Sequence, residues 1–281
     1  MPKILPFNIP KPDSSSLTYQ VDHVKRFYDK LHQHEEIQLS IILKGEGDLV
    51  VGDKVGRFEE NDIFLIGSNV SHLFRSDKTL NVQSHMLTLF FTRESFGADF
   101  FQIEETKVLR KLIDSKVGGW RIRSNKARIK GEFLRLAGET KLGRLIVFLE
   151  IMNLISKSRR EQLSETYLAR KINEDQGVRM SAIMNLVMNN FQREISLSEV
   201  AEVANMTENA FCRFFKLSAN KTFVQFLNEV RLEHACNLLQ KNRDLSVVEV
   251  AAVSGFNNIS NFNRQFKAYK KMTPSSYRRQ F

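Results

Sequence analysis

Two stretches decide the fold of this chain: LSEVAEVANMTENAFCRFFK at Leu197–Lys216 and LSVVEVAAVSGFNNISNFNRQFK at Leu245–Lys267. Each reads as Leu-Ser at a helix start, a short helix of Ala, Val and Glu, a tight turn, and a second helix closing on Arg213 to Lys216 or Arg264 to Lys267. The same unit thus occurs twice, about fifty residues apart. Ala201 and Ala251 fall where a first helix must let a second approach closely, since a larger side chain would hold the two apart. The turns hold Asn205 and Gly255, which tolerate the left-handed backbone of a tight helix–helix corner. Thr207 and Asn258 supply side-chain oxygens to cap the second helices.

The second helices differ between their two faces. In the first, Phe211, Phe214 and Phe215 take the apolar positions and leave Asn209, Cys212, Arg213 and Lys216 outward. In the other, Phe262 and Phe266 are apolar, and Ser260, Asn263, Arg264 and Lys267 face out. Arg matches guanine O6 and N7, Asn matches adenine, and a Lys at the helix end suits a phosphate. From Arg179 to Phe281 there are 14 Lys and Arg against 8 Asp and Glu, the sign a nucleic-acid backbone requires. A merely solvated basic surface is the bland alternative, and repeat, turn, cap and exposed face together argue against it. A protein-binding solenoid would need three or more repeats, and two are visible.

Residues 179–281 resemble the DNA-binding domain of AraC/XylS-family transcription regulators, most closely in AAVSGFNNISNFNRQFKAYKKMTPSSYRRQF at Ala251–Phe281. The resemblance implies two helix-turn-helix subdomains joined by one long helix, about Phe223 to Gln240, with recognition helices in successive major grooves about 34 Å apart. By position, the family's base contacts fall on Asn209, Cys212 and Arg213, then on Ser260, Asn263 and Arg264. Asn220 and Lys271 stand where the family usually has glycine after a recognition helix; Lys271 is the less comfortable of the two.

The remaining composition agrees with a two-domain globular regulator. The chain has 281 residues and a net charge of +10, which favours an anionic partner. Cys212 and Cys236 are too few for a disulfide scaffold, which points to a reducing cytoplasm. Met1 to Ser16 has four prolines and no apolar core of signal-peptide length, and no stretch suggests a membrane span.

From about Ile37 to Phe91, short apolar runs (IQLSIIL, DLVV, IFLIG, MLTLFF) alternate with turn signals at Gly45–Gly47 and Gly52–Lys54, the pattern of antiparallel strands in a small barrel or sandwich. Farther on, Leu142, Leu145, Ile146, Leu149 and Met152 mark an apolar helix face, read as core with a dimer seam as the alternative. Met180, Ile183, Met184, Val187 and Phe191 make another stripe, and Phe223, Phe226, Leu227, Val230, Ala235, Leu238 and Leu239 a third.

His32, His34 and His72 could meet inside such a barrel as a set for zinc or iron. HQHEEIQLSIILKGEGDLVV and NDIFLIGSNVSHLF resemble the two cupin motifs, to which sensor domains of AraC-family regulators are similar. Where metal-binding cupins usually have Glu, this chain has Gln38, so packing or effector contacts are favoured over a metal and no cofactor is expected.

The fold class expected is therefore α+β and multidomain: a cupin-like β-barrel with accessory helices, then an all-α double helix-turn-helix domain. Its divisions are an effector-sensing domain at 1–103, a helical dimerisation region at 104–160, a linker at 161–178 and the DNA-binding domain at 179–281. Residues 8 to 39 at the barrel mouth, with His34, Gln38, Ile41, His72 and Phe74, line the implied pocket for a sugar or other small metabolite. The partners implied are double-stranded DNA, RNA polymerase, the effector and a second copy of the chain. The function implied is effector-controlled, sequence-specific transcription regulation, by activation, without enzyme activity. The alternative is a cupin-type metalloenzyme fused to a helical interaction module.

Overall fold

Between Gln38 and Ile41 polar and apolar side chains alternate, and the segment forms strand β2 (Ile37–Lys44), around which the N-terminal unit is built. The computed structural model describes residues 16–77, 82–114, 118–164 and 174–281. Two compact units result, one ending at Glu174 and one beginning at Asp175.

In the first unit, β1 (Thr18–Val24), β3 (Gly47–Val51), β4 (Lys54–Phe58), β5 (Ile63–Ile66), β6 (His72–Ser76) and β7 (Ser84–Phe91) accompany β2. Two short strands, β8 (Gly119–Ile122) and β9 (Arg160–Gln162), come much later in the sequence. One sheet runs β1-β7-β2-β5-β8-β9 and a smaller one runs β4-β3-β6, with antiparallel pairing throughout. Three helices follow β7: α1 (Lys107–Ile113), α2 (Lys126–Arg135) and α3 (Lys141–Ser156).

Alternation along β2 divides two cores. Leu39 and Ile41, with Leu65, Leu87 and Leu89, share a cluster with Ile129 and Phe133 of α2 and Phe148, Ile151 and Ile155 of α3. Ile42, with Phe64, Ile66 and Met86, instead meets Leu49, Val51, Phe58 and Phe74 from the smaller sheet. Both faces of the central strands β2, β5 and β7 are covered, so most of their side chains are buried on either side, whereas β1 and β9 at the two ends of the sheet are more exposed.

Three expectations change here. The stretch 104–160 is not wholly helical, because β8 extends the large sheet from β5; Gly119 permits this approach, as a Cβ there would lie 2.6 Å from the Leu65 carbonyl oxygen. The stripe on α3 faces the wrong way in part: Leu142 and Ile146 are 68% and 50% exposed, while Val147, Phe148, Ile151, Met152 and Ile155 are buried. Because α3 is apolar nearly all round, its sequence offers more than one stripe, and the sheet selects the one that is buried. The linker expected at 161–178 starts later, since β9 pairs with β8 and Ser164 donates a hydrogen bond to Asp53. Residues 165–173 of that linker, and residues 8 to 15 of the expected pocket mouth, lie outside the described residues.

The second unit is helical: α4 (Glu174–Asn190), α5 (Leu197–Val203), α6 (Glu208–Ala219), α7 (Phe223–Lys241), α8 (Val247–Val253), α9 (Ile259–Lys270) and α10 (Pro274–Arg278). The α7 helix serves two small cores. Phe223 and Phe226 near its start pack edge-on against Phe211 and Phe215 of α6, with ring centroids 5.5 Å apart in each pair. Leu232, Ala235, Cys236 and Leu239 near its end join Val250, Phe256, Phe262 and Phe266. A capping box begins α7, in which the Thr222 hydroxyl accepts from the Gln225 N–H and Gln225 Oε1 accepts from the Thr222 N–H. No described helix is long and apolar enough to cross a membrane.

Candidate functional site

The repeat holds at the level of individual hydrogen bonds. At the end of α5, Ala204 N–H donates to Val200 O, Asn205 N–H to Glu202 O and Met206 N–H to Ala201 O; at the end of α8, Ser254 donates to Val250, Gly255 to Ala252 and Phe256 to Ala251. Both are Schellman closures, which need a left-handed residue at one position. Asn205 and Gly255 occupy it with φ of 52° and 87°. Ala201 and Ala251 are buried beneath these turns, each only 2% exposed.

The first α5 residue is Leu197, where the sequence puts a helix start, and Ser196 just before it is the cap, its hydroxyl accepting from Glu199 N–H at 3.1 Å. Ser246 does the same for Glu249 at 3.2 Å before α8. The Ser-x-x-Glu spacing of a capping box occurs at Ser196–Glu199, beginning one residue before the first stretch, and at Ser246–Glu249 within the second, and carries this signal in the sequence. In this register the units are offset by 50 residues through Asn205 and Gly255; Asn257 then adds one, so α6 and α9 correspond at an offset of 51.

Thr207 and Asn258 cap these second helices, accepting from Ala210 N–H at 3.4 Å and Asn261 N–H at 2.9 Å. Phe211, Phe215, Phe262 and Phe266 are buried, and Phe214 is half-buried. Asn209, Cys212, Arg213 and Lys216 are exposed, as are Ser260, Asn263, Arg264 and Lys267. Each of these four-residue sets maps onto the other at the 51-residue offset. Left-handed residues end both helices, Asn220 at φ 53° and Lys271 at φ 59°. Lys221 beside α6 and Lys270 on α9 are tied to Glu229 and Glu233 of α7, at 2.6 and 2.7 Å, and so help set the angle of each second helix.

In the N-terminal unit, His34, Gln38 and His72 come together between the sheets, with Phe74 beside them. His72 Nε2 stands 2.9 Å and His34 Nε2 3.3 Å from Gln38 Oε1. The chain of polar contacts continues from Gln38 Nε2 to the Ser40 hydroxyl at 2.9 Å and on to Thr88, also at 2.9 Å. The His34 and His72 rings lie 5.1 Å apart, and Phe74 packs edge-on to His72 at 6.4 Å. His32 joins from a short backbone bridge to His72. Burial holds all three imidazoles below the ordinary histidine value, His72 well below that value and His32 at about 4.

Ile41 does not join this cluster. It stands one residue out of phase with Gln38, Ser40 and Ile42 and faces α2 and α3 instead. Ser40 and Thr88 belong to it instead; the polar parity Gln38, Ser40 within IQLSIIL is the sequence signal for the first of them.

Comparisons with known proteins bear on both units. Residues 15–90 match the model of the AraC-like ligand binding domain, and residues 200–280 match that of a helix-turn-helix domain. A curated relative, the uncharacterised HTH-type transcriptional regulator YdeC of Bacillus subtilis strain 168, is 25% identical over 263 residues, covering 90% of this chain and 87% of the relative. Another HTH-type transcriptional regulator, from Staphylococcus aureus strain MRSA252, is 22% identical over 86% of this chain, which spans only 31% of that longer protein. Among solved structures, an AraC-type DNA-binding transcriptional regulator from Chromobacterium violaceum aligns with 38% of this chain and 96% of its own, at 22% identity and a TM-score of 0.36.

Proposed function

We propose, for a chain that belongs to the AraC family of transcriptional regulators, that α6 and α9 read one operator duplex under control of a ligand held in the N-terminal unit. The observation that carries the reading is the matched outward faces of α6 and α9, each with an Asn or Ser, an Arg and a closing Lys, on two helices packed against a single α7. In this reading Arg213 and Arg264 make bidentate contacts to guanine, Asn209 and Asn263 address adenine edges, and Lys216 and Lys267 hold phosphates. Cys212 and Ser260 complete the base-facing sets, and the caps at Thr207 and Asn258 place helix N-termini beside the phosphates.

The cluster of His34, Gln38, His72 and Phe74 is the effector site of this reading. Exposed Leu142 and Ile146 on α3 support a homodimer that sets two DNA-binding units on one operator. Ligand binding shifts the population of dimer arrangements toward the one that spans both half-sites, and the regulator activates transcription in the cytoplasm through contact with RNA polymerase.

Selection from a pool of random duplexes tests the DNA claim. The purified chain is expected to enrich a bipartite motif whose halves lie about 10 base pairs apart, with affinity falling as salt rises. Retention without sequence enrichment, or without salt dependence, would reject it.

A further inference from the structure

We propose that a basic corner of the N-terminal unit, carrying Arg128, Lys157 and Arg159, holds phosphates of the duplex that flanks the operator. The proposal rests on the reading that this chain binds double-stranded DNA, and it adds a contact surface outside α6 and α9.

Charge in this part of the chain is segregated. Residues 121–130 (RIRSNKARIK) and 157–160 (KSRR) contain eight Lys and Arg and no Asp or Glu. The rest of the chain up to residue 178 has 20 Lys and Arg against 24 Asp and Glu. The fold brings the two basic runs together. Pairing of β8 with β9 sets Ile122 opposite Arg160, and one step on, Arg123 stands opposite Arg159, its N–H donating to the Arg159 carbonyl at 2.8 Å. The Arg159 N–H donates to the Ser124 hydroxyl at 2.9 Å, and the Asn125 amide to the Ser158 hydroxyl at 3.1 Å. Arg160 donates to the carbonyls of Ile155 and Ser156, which ties the corner to the end of α3.

Part of this charge is met within the fold. The buried Asp62 carboxylate accepts from Arg121 and Lys126, Lys130 donates to Asn61, and Arg123 donates to Glu161. Arg128, Lys157 and Arg159 are exposed, and among the described residues no carboxylate pairs with them. Local physics accounts for one of the three. Lys157 follows the last turn of α3, where the helix dipole favours a cation. Arg128 sits in the first turn of α2, which has no acidic residue and where a cation is disfavoured. Arg159 faces the like charge of Arg123 across the strand pair, which costs stability. A polyanion relieves both, and point charges on separate side chains suit phosphates without reading bases.

Connectivity selects duplex DNA over an acidic protein surface. Arg159 lies five residues before Ser164, and residues 165–173 join Ser164 to α4. Nine residues span at most roughly 30 Å, close to one helical turn of duplex. A duplex held by α6 and α9 therefore presents its flanking phosphates to a tethered corner at high effective concentration.

The test compares the full chain with Arg128→Gln/Lys157→Gln/Arg159→Gln and with a control, Lys44→Gln/Lys107→Gln/Lys111→Gln, which removes three exposed cations elsewhere on the same unit. Each is titrated on DNA trimmed to the selected operator and on the operator lengthened by about 20 base pairs, two helical turns, on both sides. On trimmed operator the three proteins should bind alike. Lengthening should tighten wild type and control at least about fivefold and steepen their log–log salt slope by about 2–3, since each phosphate contact contributes about 0.9. The corner variant should gain less than about twofold, with little change in slope. An equal gain and slope in the corner variant and the control would overturn the proposal and leave an acidic protein as the partner to seek. Equal losses in both variants would overturn it too, because net charge alone would then be acting. The same titrations on random duplex separate this inference from the reading of α6 and α9. A lower slope in the corner variant without any operator preference keeps the corner and removes base readout; operator preference with equal slopes removes the corner alone.

Discussion

Arg231, midway along α7, donates its Nε to the carbonyl oxygen of Phe191 at 2.7 Å, just past the end of α4. A second guanidinium nitrogen donates to the Arg193 carbonyl at 2.8 Å. The turn at Gly255 closes over this contact: a Cβ there would lie 2.5 Å from Phe191 O and 2.8 Å from Arg231 Nε. One arginine thus joins α4, α7 and the second helix-turn-helix corner, at the place where the repeat requires a left-handed residue.

Gly255→Ala should therefore destabilise the C-terminal unit by about 2–4 kcal/mol, combining left-handed backbone strain with displacement of a charge-assisted hydrogen bond. Asn205→Gly, at the matching turn, should stay within about 1 kcal/mol of wild type. Chemical denaturation of the two variants checks the contrast, and equal losses would contradict the crowding described at Gly255.

Lys271 ends α9 with φ of 59° and is exposed. Relieving a side chain from left-handed backbone outweighs the extra freedom glycine gains when unfolded, so Lys271→Gly should stabilise the unit by about 0.5–1 kcal/mol. A drop in the denaturation midpoint would mean that Lys271 makes a compensating contact.

Specificity and affinity should separate by residue type. Arg213→Ala and Arg264→Ala should each cost about 1–3 kcal/mol on the selected operator and relax preference at one base position. Lys216→Ala and Lys267→Ala should weaken binding to all sequences and lower the salt slope by about 1 each. Gel-shift titrations on operator and random DNA at several salt concentrations provide the comparison. Equal loss on both DNAs for the arginine variants would count against base readout.

The two thiols should differ in reactivity. Cys236 is buried on α7, and burial pushes its thiol up to about 12, so it stays protonated and inaccessible at neutral pH. Cys212 is exposed on the outward face of α6. Iodoacetamide should label Cys212 alone in the native chain, and bound operator should slow that labelling. Unchanged labelling in the complex would place Cys212 away from the duplex.

The C-terminal unit was largely legible because its signals are local. A Ser-x-x-Glu start, a turn residue tolerant of positive φ, a Thr or Asn cap and Phe at helical spacing each act within a few residues, and each occurs twice. In the N-terminal unit the strands from Ile37 to Phe91 were visible as apolar runs bounded by turns. The strands β8 and β9 were not, because GWRI and REQ carry no period of their own and become strands only by extending the exposed edge of β5.

Local chemistry written along the chain determined the duplicated corners, the caps and the outward Arg and Lys of α6 and α9, since hydrogen bonds and helical periodicity act over short separations. Tertiary structure alone decided that α3 buries Phe148 and Ile151 and exposes Leu142, that Ile41 faces the helices, and that Thr88 of β7 meets Ser40 and, through it, Gln38. Those outcomes depend on which strands pair and in what register, and a shift of one residue would turn every side chain of β2 to the opposite face.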